Sequence, residues 1–248
     1  MKPTKIELHV GHYGDRTGAH GIVDEVQYAR KFIKRIYDIL IANRVPATFY
    51  EDKTSKNQNQ NINNFINHHN QDRNGFIVSG HLNASVFMTE QSIGAEVLYY
   101  DQATVAKQVV DAICSAGGLK NRGAKKRTNL GVLVSTYEPA ILIEFGFVNS
   151  KEDVKLLDKN FEAICQSIAV VLAEHIGYKI SKKELEKKEE KTMELLNETG
   201  RKEARELIKR ACKEGVFDAK YHTDEKVNNY SDADLIGYSI AYVNRTVK

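Results

Sequence analysis

The stretch "KIELHVGHYGDRTGAHGIVDEVQYARKFIKRIYDIL", residues 5–40, joins a strand pattern to a helix pattern through a loop rich in glycine and histidine. Alternating apolar residues predict a β-strand over 5–10. Apolar residues then recur at helical spacing, which predicts a helix over about 21–43. His12 directly follows the strand, and Glu25 falls in the first turn of the helix. A strand followed by a helix is the repeating unit of an α/β sheet.

The chain repeats this alternation up to about residue 178. Further strands are predicted at 46–51, 75–80, 94–100, 130–136 and 139–147, and further helices at 59–70, 102–116 and 160–176. We therefore predict an α/β fold with a mostly parallel sheet and helices on both faces, which forms one domain over residues 1–178.

The composition changes after this domain. Nine of the eleven residues in "SKKELEKKEEK" (181–191) are charged, which predicts a charged helical linker over 179–195. Two apolar stripes follow, and the second is expected to open at Ser231, so residues 196–248 are predicted to form a small two-helix module. We expect such a module to be too small to hold a core alone and therefore to dock or self-associate.

Composition and charge exclude several classes of protein. The 248 residues carry 36 basic and 33 acidic side chains, a net charge of +3, without a basic stripe interleaved with aromatics, so no nucleic-acid partner is expected. The N-terminus has no apolar signal region and no run is long enough to span a bilayer, which predicts a cytoplasmic product without stable membrane insertion. The three cysteines form no paired motif and are predicted to be reduced thiols.

Candidate metal ligands follow two of the predicted strands. His12 and Glu25 flank the first loop, and His81 comes directly after the strand at 75–80. The carboxyl ends of parallel strands meet at one edge of a sheet, so these side chains can converge. Two imidazoles and one carboxylate suit a catalytic zinc ion that keeps a position for water. His20 is the best alternative to His12. Other histidines in this half of the chain are predicted to have no part in the site: His9, His68 and His69.

Glu144 is a lone carboxylate inside the apolar run 139–147, where an unpaired charge is costly without a purpose. It is therefore the candidate for the group that exchanges protons with water. Plainer interpretations stay open for each residue: Glu144 paired with Arg122, His12 as an ordinary loop histidine, and Glu25 as an acidic residue that favours a helix N-terminus. Their joint occurrence at strand ends favours the metal site.

Five segments occur together in an order that is typical of one enzyme family: "GHYGDRTGAHGIVDE" (11–25), "VSGHLNAS" (78–85), "GAEVLYY" (94–100), "NRGAK" (121–125) and "PAILIEFGFVNSKED" (139–153). Over residues 5–177 the chain resembles zinc-dependent N-acetylmuramoyl-L-alanine amidases of the type-3 class. The resemblance is greatest to the catalytic domains of phage endolysins that attack Gram-positive cell walls.

The resemblance implies one zinc ion per catalytic domain, held by His12, Glu25 and His81, with Glu144 as the catalytic carboxylate. It also implies, more weakly, a substrate groove shaped by three further residues: Asn83, Arg122 and Gly123. The bond cut would be the peptidoglycan amide between N-acetylmuramic acid and L-alanine. The chain departs from the family in its opening "HVGH", where Asp-Pro-Gly-His is usual, and in Tyr13, which replaces a small residue.

An endolysin of a phage or prophage would stay in the cytoplasm until a holin-type protein releases it to the cell wall, and this is what the resemblance implies for localisation. The C-terminal module is then expected to bind the wall or to form a homo-oligomer. Two alternatives remain: a zinc peptidase on a similar scaffold, and a non-catalytic wall-binding protein. An intact Glu144 counts against the second, because a binding protein has no need of that carboxylate.

Overall fold

The computed structural model describes residues 2–180, 197–230 and 232–246. The chain divides into two compact units, residues 1–181 and 182–248. Almost all of the linker predicted at 179–195 lies outside the described residues.

The first unit is built on a six-stranded sheet in the order β2-β1-β3-β6-β4-β5. The strands are β1 (Lys5–Val10), β2 (Ala47–Tyr50), β3 (Gly75–Asn83), β4 (Ala95–Tyr99), β5 (Asn121–Lys126) and β6 (Ala140–Phe147). Strands β2, β1, β3 and β6 run parallel to one another, whereas β4 is antiparallel to β6 and parallel to β5. The predicted mostly parallel α/β sheet is confirmed.

Helices cover both faces of this sheet. They are α1 (Glu25–Ala42), α2 (Gln58–His69), α3 (Ala103–Gly117), α4 (Gly131–Val134), α5 (Lys151–Lys159) and α6 (Phe161–Ile176). Helices α1, α3 and α6 pack together against one face, and α2 and α4 lie over the other. The apolar side chains of β1 face α1 and α6, so its Glu7 and His9 are buried on the α2 face.

Close packing of β3 on α1 fixes the direction of the functional side chains. A Cβ atom added to Gly80 would lie 2.2 Å from Ile33 of α1, so only glycine fits there. Because successive strand residues point to opposite faces, His81 projects to the α2 face, near the carboxyl end of the parallel strands.

Several predicted boundaries differ from the structure. Helix α1 begins at Glu25 rather than near residue 21, because the side chain of Asp24 accepts from the Gln27 amide and caps it there. The run 130–136 is not a strand: it forms the short helix α4, whose Leu133 packs onto the sheet. Strand β5 and helix α5 were not predicted, since β5 ("NRGAKK") is a polar edge strand without apolar alternation.

The second unit contains three helices in its described residues, α7 (Glu198–Lys213), α8 (Asp224–Asn228) and α9 (Asp232–Thr246). The prediction of two helices missed the short α8, and Ser231 lies outside the described residues. The unit has its own buried cluster, formed by Ala204, Ile208, Ala211, Phe217, Val227, Leu235 and Tyr242. The expectation that it cannot hold a core is therefore wrong.

No helix in the described part of the chain is both long enough and apolar enough to cross a membrane.

Candidate metal centre and active site

Three predicted ligands converge at the carboxyl edge of the sheet. Nε2 of His12 lies 2.9 Å from Oε1 of Glu25, and Nδ1 of His81 lies 2.8 Å from the same oxygen. The two imidazole rings are nearly perpendicular, with centroids 4.9 Å apart. All three ligand atoms lie within 4.8 Å of one another, a spacing that a single ion can bridge.

Backbone geometry holds Glu25 and His12 in place. Glu25 is the first residue of α1, and its carboxylate accepts from the amides of Ala19 (2.6 Å) and Leu82 (3.3 Å). His12 adopts a positive φ of 65°, a conformation that a non-glycine residue holds only where its surroundings require it. Such conformations cluster at functional sites, and here the turn brings the imidazole back over Glu25.

Two glycines leave room for the ligands. A Cβ atom on Gly11 would lie 2.2 Å from Cε1 of His81, and one on Gly18 would lie 2.6 Å from both Cδ2 of His12 and Oε2 of Glu25. Gly11 and Gly18 are therefore required for the cluster, because a larger residue at either position would collide with its side chains.

The chemistry of the ligand set fits zinc. Burial raises the pKa of Glu25, but hydrogen bonds and charge from His12 and His81 outweigh it and hold that pKa well below 4.5, so the carboxylate is ionised. Nδ1 of His12 is buried and has no hydrogen-bond partner among the described residues. Two imidazoles and one carboxylate match the three-ligand catalytic zinc sites that leave one position open.

A hydrogen-bond chain from α2 supports the His12 turn. Nδ2 of Asn61 donates to the backbone carbonyl of His12 and to Oδ2 of Asp52, both at 3.0 Å. Asp52 is buried and accepts further bonds from Thr54 and Ser55. Burial raises the pKa of Asp52, yet these donors lower it more, so the carboxylate stays charged and fixes Asn61.

Glu144 lies beside this cluster. It is the register partner of His81 across β3 and β6, so the two side chains share the α2 face. Its Oε2 is buried without a hydrogen-bond partner among the described residues. Burial raises the pKa of Glu144 well above its usual range, and the charges of Glu25 and Glu96 raise it further. A carboxyl group in this state suits proton exchange near neutral pH.

Arg122 does not pair with Glu144, which removes the plainer interpretation of that carboxylate. Nε of Arg122 donates to Glu96 at 2.6 Å, and Lys125 contacts the same oxygen at 2.5 Å. Glu96 also accepts from Nδ2 of Asn83 at 3.3 Å. The predicted groove residues Asn83 and Arg122 are therefore brought together by Glu96, which the sequence argument did not single out.

Gly123 follows Arg122 on β5 with a positive φ of 82°, and no atom lies within 4 Å of the position its Cβ would take. His20 does not join the cluster: its side chain is 60% exposed and its Nδ1 lies 3.6 Å from Asp24. His12, rather than His20, lies in the cluster with Glu25 and His81.

Comparison with known proteins identifies the family and supports the fold. The model of the N-acetylmuramoyl-L-alanine amidase family matches residues 6–174, which contain all four site residues. The chain belongs to this family.

Among solved structures, the chain is similar to the catalytic domain of the CD27L endolysin targeting Clostridia difficile (30% identity, TM-score 0.61). The match covers 72% of this chain and 99% of that one. It is also similar to the catalytic domain of CwlV from Bacillus (Paenibacillus) polymyxa var. colistinus (25% identity, TM-score 0.57), covering 71% and 99%.

An uncharacterized protein of Clostridium perfringens is 28% identical to the amidase over 177 residues, 68% of this chain and 52% of that protein. The chain thus spans about half the length of the curated relatives it matches.

Proposed function

We propose that this amidase uses zinc to hydrolyse the amide bond between N-acetylmuramic acid and the L-alanine of the stem peptide in peptidoglycan. The observation that carries the proposal is the buried, unpaired Glu144 beside the converging His12, Glu25 and His81. Membership of the amidase family supports the substrate class.

His12, Glu25 and His81 would hold the zinc ion. Bound there, zinc supplies Lewis acidity, which polarises a carbonyl and makes a water molecule acidic near neutral pH. Glu144 accepts the proton of the attacking water and passes it to the departing alanine nitrogen, for which its raised pKa is suited. Asn83 and Arg122, which both contact Glu96 opposite Glu144, would orient the substrate.

The test is hydrolysis of purified Gram-positive peptidoglycan by wild type and Glu144→Ala, with fragments identified by mass and bound zinc measured in both. We expect stem peptides with free L-alanine amino termini from wild type only, at equal zinc content. Cleavage inside the stem peptide would instead indicate a zinc peptidase. Binding of peptidoglycan without cleavage by the zinc-loaded wild type would indicate a wall-binding protein.

We also propose that the protein is an endolysin of a phage or prophage, held in the cytoplasm until a holin-type protein gives it access to the wall. Its similarity to an endolysin catalytic domain over nearly all of that domain supports this role. Expression in a Gram-positive host with and without a holin tests it. Lysis only when the holin is present is expected, and lysis without one would contradict it.

For the second unit we propose self-association through α9. Ile240 and Val243 lie one turn apart on this helix, with 55% and 47% of their surfaces exposed. A second copy that covers them would give bivalent attachment to a polymeric substrate. Light scattering of the full chain should give a mass above the monomer, and Val243→Glu should return it to the monomer. A monomeric wild type would contradict the proposal.

A further inference from the structure

A second group of metal-ligating side chains lies at the opposite, amino-terminal edge of the sheet. Glu7 of β1, His69 at the end of α2 and Glu138, two residues ahead of β6, place one ligand atom each within 4.8 Å of one another. All three residues are buried, with exposures of 4%, 1% and 3%. Together they offer one imidazole and two carboxylates, a ligand set that zinc accepts.

Glu138 has an unsatisfied oxygen that points to a missing ligand. Its Oε1 accepts from the Gly75 amide at 2.5 Å, whereas Oε2 is buried without a partner among the described residues. A Cβ atom on Gly75 would lie 2.7 Å from this Oε2 and 2.7 Å from Cγ of Glu7. Glycine therefore keeps open a space that both carboxylates border. A buried carboxylate oxygen without a donor is costly, and a cation removes that cost.

The ring nitrogen Nε2 of His69 contacts His9, which lies outside the group of three candidate ligands. Its Nε2 lies 2.9 Å from Nδ1 of His9, while its Nδ1 faces Oε2 of Glu7 at 2.6 Å. Burial lowers the pKa of His9 well below its usual value, so His9 is neutral and its Nδ1 can accept. Because the Glu7 carboxylate can only accept, the Nδ1–H of His69 donates to it in this structure. A metal ion bound at Nδ1 would take the place of that proton, while Nε2 keeps its contact with His9 as an outer partner.

The charges of the cluster also match a divalent cation. Lys5 supplies one ammonium group, which contacts Oε1 of Glu7 (2.5 Å) and Oδ2 of Asp72 (2.7 Å). Against this one positive charge stand three carboxylates, those of Glu7, Glu138 and Asp72, so two negative charges remain when all three are ionised. Asp72 is 45% exposed and gives the site a route to solvent.

We propose that Glu7, His69 and Glu138 bind a second divalent metal ion of the zinc type. This ion would join β1, α2 and the segment that leads into β6. Those elements carry His12 at the end of β1 and Glu144 within β6, so the ion has a structural role beneath the catalytic edge. The proposal does not rest on the proposed hydrolysis, and either can fail alone.

The experiment is metal stoichiometry on the full chain, with Zn²⁺ as the probe. Wild type should bind two zinc ions per chain and Glu138→Gln one, because the isosteric amide keeps its size but loses the charge. The matched control is Glu90→Gln, an exposed glutamate, which should keep two. The second equivalent should raise Tm by about 5 °C in wild type and not in Glu138→Gln.

Equal zinc content in wild type and Glu138→Gln would overturn the proposal, whatever the occupancy of the His12, Glu25 and His81 cluster. If Glu138→Gln does not fold, titration of the wild type with Co²⁺ decides: two equivalents with distinct visible spectra support a second site, and saturation at one equivalent refutes it.

Discussion

Glu96 and Glu144 are directly opposite each other in the antiparallel β4–β6 pair, yet within the described part of the chain only Glu96 of the two has cationic partners. Arg122 and Lys125 both contact Glu96, and this outweighs the effect of burial and lowers its pKa. Burial raises the pKa of Glu144, which has no such partner. Two neighbouring carboxyl groups with pKa values shifted in opposite directions are the arrangement expected where one fixes charge and the other moves a proton.

Replacing Glu144 by glutamine should cost activity but not stability. Its folded pKa is raised, so ionisation makes the folded state less stable as pH rises, and an amide removes that effect. We expect the free energy of unfolding of Glu144→Gln to exceed that of wild type increasingly from pH 6 to pH 9 in chelator, and the gap to narrow when zinc is added. Urea unfolding measures it. A variant less stable than wild type at every pH would show that Glu144 is structural.

Replacing Glu96 by glutamine should instead lower the free energy of unfolding. The folded pKa of Glu96 is lowered, so its charge contributes stability above the ordinary carboxyl pKa of about 4.3, and this is lost as pH falls through the lowered value. We expect a loss of about 2 kcal/mol at pH 7 that shrinks on acidification. The exposed Lys107–Asp111 pair supplies the control, since Asp111→Asn should change the free energy of unfolding by less than about 0.5 kcal/mol. Equal effects would mean that the Glu96 cluster is only a surface contact.

Gly11→Ala should lower zinc affinity by at least about 10-fold, because the new methyl group would displace the His81 ring. Gly237→Ala in α9 is the control, since outside the adjacent helix backbone no atom of the described residues lies within 4 Å of the added carbon. Competition with a fluorescent zinc chelator measures both affinities. Unchanged zinc affinity in Gly11→Ala would show that His81 is not a ligand in this position.

Asn61→Ala should weaken zinc binding by about 10-fold or more, through loss of the bond to the His12 carbonyl. Asn63→Ala is matched in helix and residue type, and its side chain is exposed, so it should behave as wild type. Zinc affinity and hydrolysis of peptidoglycan are the measurements. If the two variants bind zinc equally, Asn61 has no positioning role.

The sequence was sufficient for the central strands and for bringing His12, Glu25 and His81 to one edge of the sheet. Strand β1 follows from alternation, the position of His81 follows from the apolar run 75–80, and Glu144 is conspicuous as one charge in an apolar run. Glu96 is likewise the one charged residue in the apolar segment "GAEVLYY" (94–100), and it could have been found on that basis. The sequence could not supply the strand pairing: Arg122 contacts Glu96 because β5 lies beside β4 in the sheet, which no local pattern encodes.

Other features that the sequence did not predict have local physical causes. The run 130–136 is apolar and short, and such runs are compatible with either a strand or a buried helical turn. Asn61 and His69 look like polar flanks in the linear sequence, and their burial depends on the polar face that Glu7 and His9 give to β1. A hydrogen bond between residues 60 positions apart, such as His9 and His69, leaves no periodic pattern in the sequence.

The order of strands β1, β3 and β6 in the sheet has a consequence for folding kinetics. His12, His81 and Glu144 reach the same edge only after three strands from distant parts of the chain have paired in register. Contacts between residues so far apart in the sequence form late and slowly, because closing the long intervening loops costs chain entropy before the contacts form. Zinc capture should therefore coincide with the last cooperative step of folding, and a nascent chain that lacks β6 should be inactive as a hydrolase.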